Sequence, residues 1–219
     1  MLKQWIHKIG NPACILFFNG WGMDEHAISH LNTEGFDICS FSAYSMLEMD
    51  LNEFKSYRSL YLIAWSLGVW VANYLFSKDE LTFNKSIAIN GTPKPLDNQY
   101  GIPHAIFKGT LKFWNEVNRE KFNHRVFGRW TELEQVQSCL PLRNCKDQQK
   151  ELSFLLHEID KSEDIYLHWD CALVSKSDLI FSQKNQINYW KNRAKIFTKD
   201  TPHFPFCSFY SWQQLINLS

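Results

Sequence analysis

Ser59-Leu60-Tyr61-Leu62-Ile63-Ala64-Trp65-Ser66-Leu67-Gly68-Val69-Trp70 reads as two elements meeting at one residue. The apolar run Leu60–Trp65, rich in Leu, Ile and Tyr, predicts a buried strand. From Val69 onward the apolar residues Val69, Ala72, Leu75 and Phe76 recur at helical spacing. A strand that becomes a helix within so few residues needs a tight turn, and Ser66 stands at its apex. Such a turn lifts a hydroxyl above the sheet edge and aims the first N–H groups of the helix at it. Crowding favours small residues two places either side of the serine. Gly68 meets that condition, and Ala64 stands where glycine is usual. A buried strand that simply ends in serine fits these few residues as well, so partners for Ser66 must be sought elsewhere in the chain.

Upstream, Ala13–Phe18 is a continuous apolar run, which predicts a strand covered on both faces. It stops at Asn19-Gly20-Trp21-Gly22, whose glycines predict a tight loop with backbone N–H groups drawn together. A helix is expected over Met23–Leu31, capped near Asp24, then a short strand over Phe36–Phe41 and a polar connection of helical character over Leu47–Phe54. Downstream, Lys85–Asn90 predicts a strand closed by Gly91-Thr92-Pro93. From Pro95 the pattern changes to helical periods alone. Alternation returns with a strand at Cys171–Ser175, a helix over Gln183–Trp190, a last strand at Ala194–Phe197 and a last helix over Phe206–Leu218. This order predicts an α/β fold with a mostly parallel sheet. Its core is expected from residues 1–94 and 166–219, with 95–165 inserted as a helical cap over the strand C-terminal ends, where open α/β sheets bind ligands.

A nucleophilic serine needs a base, and the base an orienting acid. Among eight histidines, His203 lies in the stiff loop Thr201-Pro202-His203-Phe204-Pro205, directly after the last strand. The chain order Ser, acid, His places the acid between them. Asp178 follows the fifth of the strands above and so lies at the same sheet edge. Asp170 precedes that strand and is at the wrong end. Asp97, after the preceding strand, stays open as an alternative. The oxyanion formed by attack on a carbonyl would be held by backbone N–H groups of Leu67 and Trp21.

The chain has 219 residues, 45 % hydrophobic and 21 % charged, enough for a large core and unlike a disordered chain. Its formal net charge is zero, which gives no global field for nucleic acid. Nine Trp contribute to an aromatic share of 16 %; Trp65, Trp70, Phe107 and Trp114 are candidates to line an apolar channel. The six cysteines form no CxxC pair and several sit in apolar runs, as scattered thiols of a reducing cytosol do. The N-terminal residues lack a signal-peptide pattern, and no run approaches the ~20 apolar residues of a membrane span. A cytoplasmic protein, monomeric and not bound to membrane, is expected. No HExxH, paired Cys/His spacing, GxGxxG or Walker loop occurs, so neither metal nor cofactor is expected.

Taken together, Phe18-Asn-Gly-Trp-Gly22, Ala64-Trp-Ser-Leu-Gly-Val-Trp70, Ile89-Asn-Gly-Thr-Pro93, Tyr100-Gly-Ile-Pro103 and Pro202-His-Phe-Pro-Phe206 resemble the BioG-type pimeloyl-[acyl-carrier protein] methyl ester esterases of the α/β-hydrolase superfamily. The resemblance spans nearly the whole chain. It implies cleavage of the methyl ester of pimeloyl-ACP, with release of methanol, in biotin biosynthesis. It also implies Ser66 as nucleophile, His203 as base, Asp178 as orienter, and Trp21 and Leu67 as oxyanion donors. A general carboxylesterase or thioesterase would keep the same three side chains, and a non-catalytic binding protein would lack one. The short segment before Ala13 predicts a trimmed sheet of about five to seven strands. An acidic carrier protein calls for a local basic surface. Lys121, Arg125 and Arg129 recur every four residues, with Arg119 close by, and would form one stripe on a helix lasting to Gly128.

Overall fold

The computed structural model describes residues 1–77, 81–130, 134–163 and 166–218, with residue 135 described by its backbone alone. Seven strands form one sheet: β1 Leu2–His7, β2 Ala13–Phe18, β3 Asp37–Ser42, β4 Ser59–Trp65, β5 Lys85–Ile89, β6 Cys171–Ser175 and β7 Lys195–Lys199. Their spatial order is β1-β3-β2-β4-β5-β6-β7. All neighbours run parallel except β1, which pairs antiparallel with β3 and is the extra strand allowed for before Ala13. The turn between β1 and β2 is closed by Asp37, whose carboxylate accepts N–H bonds from Ile9, Gly10 and Asn11.

The continuous apolar runs belong to the inner strands because both faces of the sheet are covered. Alternate residues of β2 divide between two cores. Cys14, Leu16 and Phe18 pack with helix α1 (Leu67–Phe76), while Ile15 and Phe17 pack with the C-terminal segment around Phe206, Trp212 and Leu215. Register aligns the strand ends that matter: Phe18 lies opposite Ala64, Trp65 opposite Ile89, and Ile89 opposite Leu173.

Between β5 and β6 run α2 (His104–Lys112), α3 (Glu116–Phe127), α4 (Glu134–Gln137) and α5 (Cys145–Lys161). After β6 come α6 (Gln183–Trp190) and, near the C-terminus, α7 (Trp212–Ile216). Residues 131–133 and 164–165 of the expected cap interval, and the terminal residue 219, lie outside the described residues. Among the described residues no helix is long and apolar enough to cross a membrane.

Two expected helices are shorter than their periodicity implies. Over Met23–Leu31 only a 3₁₀ turn, Glu25–Ile28, forms. Asp24 caps it as expected, accepting the His26 N–H, but its other oxygen accepts the Leu142 N–H at 2.7 Å. The Phe206–Leu218 helix splits into a 3₁₀ turn at Phe206–Ser208 and α7. Between them the chain is extended, because Asn32 exchanges backbone bonds with Tyr210 and Trp212. Leu47–Phe54 holds a 3₁₀ turn at Asn52–Phe54.

Candidate active site

Ser66 sits between β4 and α1 with φ +57° and ψ −127°, a conformation that costs a non-glycine residue on the order of 1–3 kcal/mol. The surroundings leave little alternative. A Cβ on Gly68 would lie 2.3 Å from the Phe18 carbonyl oxygen, and a Cβ on Gly91 would lie 2.3 Å from that of Ser66. Gly68 therefore lets α1 begin directly against β2, and Gly91 lets the end of β5 pass beneath the turn. The Ser66 N–H donates to the Ile89 carbonyl at 2.9 Å, which ties the turn to the sheet.

Three side chains distant in sequence meet here. His203 Nε2 lies 2.9 Å from Ser66 Oγ, and His203 Nδ1 lies 2.8 Å from Asp178 Oδ2. All three are buried. Asp178 Oδ1 accepts the N–H groups of Ile180 and Phe181, and Oδ2 also accepts from Gln186 Nε2 at 3.0 Å. Those donors fix the plane of the carboxyl group and leave one lone pair of Oδ2 for the imidazole. The alternative acid, Asp97, closes its own turn by accepting the N–H groups of Gln99 and Tyr100. Asp170 bonds Ser86 before β6, at the far end of the sheet.

The histidine is held by its backbone as well. The His203 carbonyl accepts from the Trp65 indole N–H at 2.9 Å and from Asn90 Nδ2 at 2.8 Å. Asn90, itself at φ +46°, also donates to Ser175 Oγ and accepts the Ser175 N–H. Phe181 stacks on the imidazole at 6.1 Å with planes 8° apart. Sequence reading missed Asn90, Gln186 and the indole of Trp65. The Asn-Gly pair after β5 was the only local sign of Asn90.

On the other side of Ser66, the Trp21 and Leu67 backbone N–H groups have no hydrogen-bond partner among the described residues. The Trp21–Gly22 loop is fastened to α5. Its Gly22 N–H donates to Glu151 Oε2 at 3.1 Å, Gln148 Nε2 donates to the Gly22 carbonyl at 2.9 Å, and the Trp21 indole donates to the Gln148 carbonyl at 2.7 Å. The second oxygen of Glu151 accepts the Tyr44 N–H, and Arg143 pairs with the first at 2.5 Å. Burial raises the Glu151 pKa above its ordinary value, against the pull of Arg143 and the two amides.

A cavity of about 50 Å³ opens over Ser66 and His203, with Trp65, Phe107, Leu152 and Leu179 in its walls. A larger groove of about 340 Å³ lies between α2 and α3 and shares Ile106, Thr110, Phe122 and Arg125 with it. Trp114 lines that outer groove, whereas Trp70 faces a separate pocket beside Tyr74 and Leu96.

The expected basic stripe is shorter than its spacing implies. Helix α3 stops at Phe127 because Gly128 turns at φ +54°, a position where a Cβ would lie 3.0 Å from Pro202, and Arg129, in the 3₁₀ turn beyond, pairs with Asp200. Arg119 pairs with Glu116 and donates to the Arg143 carbonyl. Lys121 and Arg125 line the groove. The described residues hold one compact group of possible metal ligands, Asp24, Glu25 and His26; both Asp24 oxygens already accept backbone N–H bonds.

A hydroxyl, an imidazole and a buried carboxylate in line, beside two open amides, can carry out acyl transfer. A family model described as pimeloyl-ACP methyl esterase BioG matches residues 1–215. The crystal structure of BioG from Haemophilus influenzae superposes with a TM-score of 0.90 at 33 % identity, over 98 % of this chain and 99 % of that one. An enol-lactonase from Burkholderia xenovorans shares the α/β-hydrolase fold at a TM-score of 0.67 and 11 % identity, covering 93 % of this chain and 89 % of its own. A Bacteroides fragilis protein named malonyl-[acyl-carrier protein] O-methyltransferase is 36 % identical over 177 residues, which is 81 % of this chain and 36 % of that protein. The chain thus spans about a third of that relative.

Proposed function

Because the chain belongs to the BioG family of pimeloyl-ACP methyl esterases, we propose that it hydrolyses the methyl ester of pimeloyl-ACP to pimeloyl-ACP and methanol, through an acyl-enzyme on Ser66. The observation that carries this reading is the unbroken line of hydrogen bonds from Ser66 Oγ through His203 to Asp178. His203 takes the Ser66 proton as the oxygen attacks the ester carbonyl, and Asp178 stabilises the imidazolium and holds its tautomer. The oxyanion forms against the N–H groups of Trp21 and Leu67, each such donor contributing on the order of 10²–10³ in rate. His203 returns the proton to departing methoxide. It then activates water against the acyl-enzyme.

The acyl chain enters through the groove between α2 and α3, with the carrier docked outside and the helical segment acting as a cap. Lys121 and Arg125 supply the positive charge that an acidic carrier meets there. The relative named for malonyl-ACP methylation supports the substrate class, since its name describes formation of the kind of ester cleaved here. The product would serve biotin synthesis.

The test is intact-mass spectrometry of methyl pimeloyl-ACP incubated with the protein and with Ser66→Ala. The expected outcome is loss of one CH₂ from the carrier with wild type and none with the variant. Turnover by Ser66→Ala rejects the nucleophile, and release of the whole acyl group in place of methanol makes the protein a thioesterase. Lys121→Glu with Arg125→Glu should slow the carrier substrate while sparing a small soluble methyl ester. Equal loss on both rejects the docking role.

A further inference from the structure

The reaction proposed above asks for two small-molecule steps while the acyl chain is bound. Methanol must leave, and a water must come in against the acyl-enzyme. The groove between α2 and α3, which shares Ile106, Thr110, Phe122 and Arg125 with the cavity over Ser66, would be filled by the chain at that stage. The cavity itself, at about 50 Å³, is only a few times the roughly 10–15 Å³ that one water needs. It can hold a reacting carbonyl and its methoxy group, but not a departing alcohol beside an arriving water. A second surface hollow, of about 370 Å³, lies against Gly128, Arg129, Ser177, Leu179 and Pro202 and shares none of its lining with the groove. Among the described residues, Leu179 alone lines both this hollow and the cavity over Ser66 and His203.

We propose that Leu179 closes the alcohol side of the site, passing methanol out and water in, and that its side chain limits the leaving alcohol to about the size of methanol. The inference rests on the esterase reading of Ser66. The backbone around Leu179 is held. The Ser177 N–H donates to the Thr201 carbonyl at 3.2 Å, and Asp178 Oδ1 accepts the N–H groups of Ile180 and Phe181 at 2.8 and 2.9 Å. The side chain is freer: Leu179 is 66 % exposed, while Asp178 before it is buried and Phe181 after it lies on the His203 ring. An exposed side chain turns between rotamers in picoseconds to nanoseconds, so a passage opened by Leu179 alone needs no backbone movement. A scissile ester whose acyl chain runs back into the groove turns its alkoxy group away from that groove, toward Leu179. A methoxy group fits behind the leucine in its closed position. Each further methylene has to displace it.

The experiment compares kcat/KM for the methyl and butyl esters of pimeloyl-ACP in wild type, Leu179→Ala and Ile106→Ala. Because one methylene in an apolar pocket is worth on the order of 10–200-fold, wild type should prefer the methyl ester by about 10²-fold. Leu179→Ala should narrow that preference about tenfold or more, and Ile106→Ala, on the groove side, should move it less than twofold. Leu179→Trp should slow turnover of the methyl ester about tenfold and leave acyl-enzyme visible by intact-mass spectrometry. Leu179 is exposed, so these changes empty no part of the core. A preference that Leu179→Ala leaves unmoved, or that Ile106→Ala relaxes equally, overturns the role of Leu179. So does a wild type that cleaves both esters equally well. In those three cases wild type still releases methanol and the reading of Ser66 stands; a wild type that releases none refutes that reading and this inference with it.

Discussion

The two walls of the active site are built by different parts of the molecule. Ser66 and His203 are held by the sheet: Gly68 and Gly91 set the turn, while Trp65 and Asn90 hold the His203 carbonyl. The Trp21–Gly22 loop is held from above, by Gln148 and Glu151 of α5. The difference teaches that the proposed nucleophile and base depend on the integrity of the core, whereas the amides proposed to hold the oxyanion depend on the docking of one helix outside the sheet.

The largest effect that bears on this contrast is on the sheet side. Asp178→Asn should lower kcat about 10⁴-fold, because the imidazole is then offered the wrong tautomer. A loss under tenfold in steady-state assays removes Asp178 from the line of proton transfer. On the helix side, Glu151→Gln should lower kcat about 10–10²-fold with KM little changed, since an oxyanion donor acts in the transition state. A rise in KM at constant kcat would show instead that α5 shapes substrate binding. Smaller in turnover is Asn90→Ala. It leaves the Ser175 N–H and one lone pair of His203 unsatisfied, for about 2–3 kcal/mol of stability and less than tenfold in kcat. Urea denaturation that finds no destabilisation breaks the claim that the core holds this wall.

The smallest effect is in pH dependence. Burial raises the Glu151 pKa above 4.5, so the folded protein keeps a proton there that the unfolded chain has released. That contribution to stability is full below 4.5 and is lost as pH rises through the folded pKa. The carboxylate, however, is the form that best accepts the Gly22 and Tyr44 amides. On acidification into this window, wild type should gain stability relative to Glu151→Gln while its advantage in turnover shrinks. Parallel changes in both quantities, measured by denaturation and initial rates, would sink the clamp.

On the sheet wall, the Ser66 turn and His203 were legible in the sequence because their determinants are local, whereas the bonds from Asn90 and the Trp65 indole to the His203 carbonyl span more than 100 residues and were not. Strand, serine and helix adjoin in one stretch, and His203 is marked by flanking prolines after the last strand. Asp178 could be placed at the right edge, but only coordinates separate it from Asp97, since both follow strands. The helix wall was not legible. Glu151 and Gln148 lie more than 120 residues from the loop they hold, on a helix whose polar positions look like any solvated face. Arg129 misled for a related reason. Its spacing of four presumes an unbroken helix, whereas the chain turns at Gly128 with φ +54°, where a Cβ would lie 3.0 Å from Pro202.

The anchorage of α5 at Gly22 also bears on how the acyl chain of the proposed substrate would get in. A cover fastened beside Ser66 could not swing away without scattering the amides that the proposed reaction needs. Admission by threading end-on, between α2 and α3, would leave that fastening undisturbed, so entry and chemistry would not need to take turns.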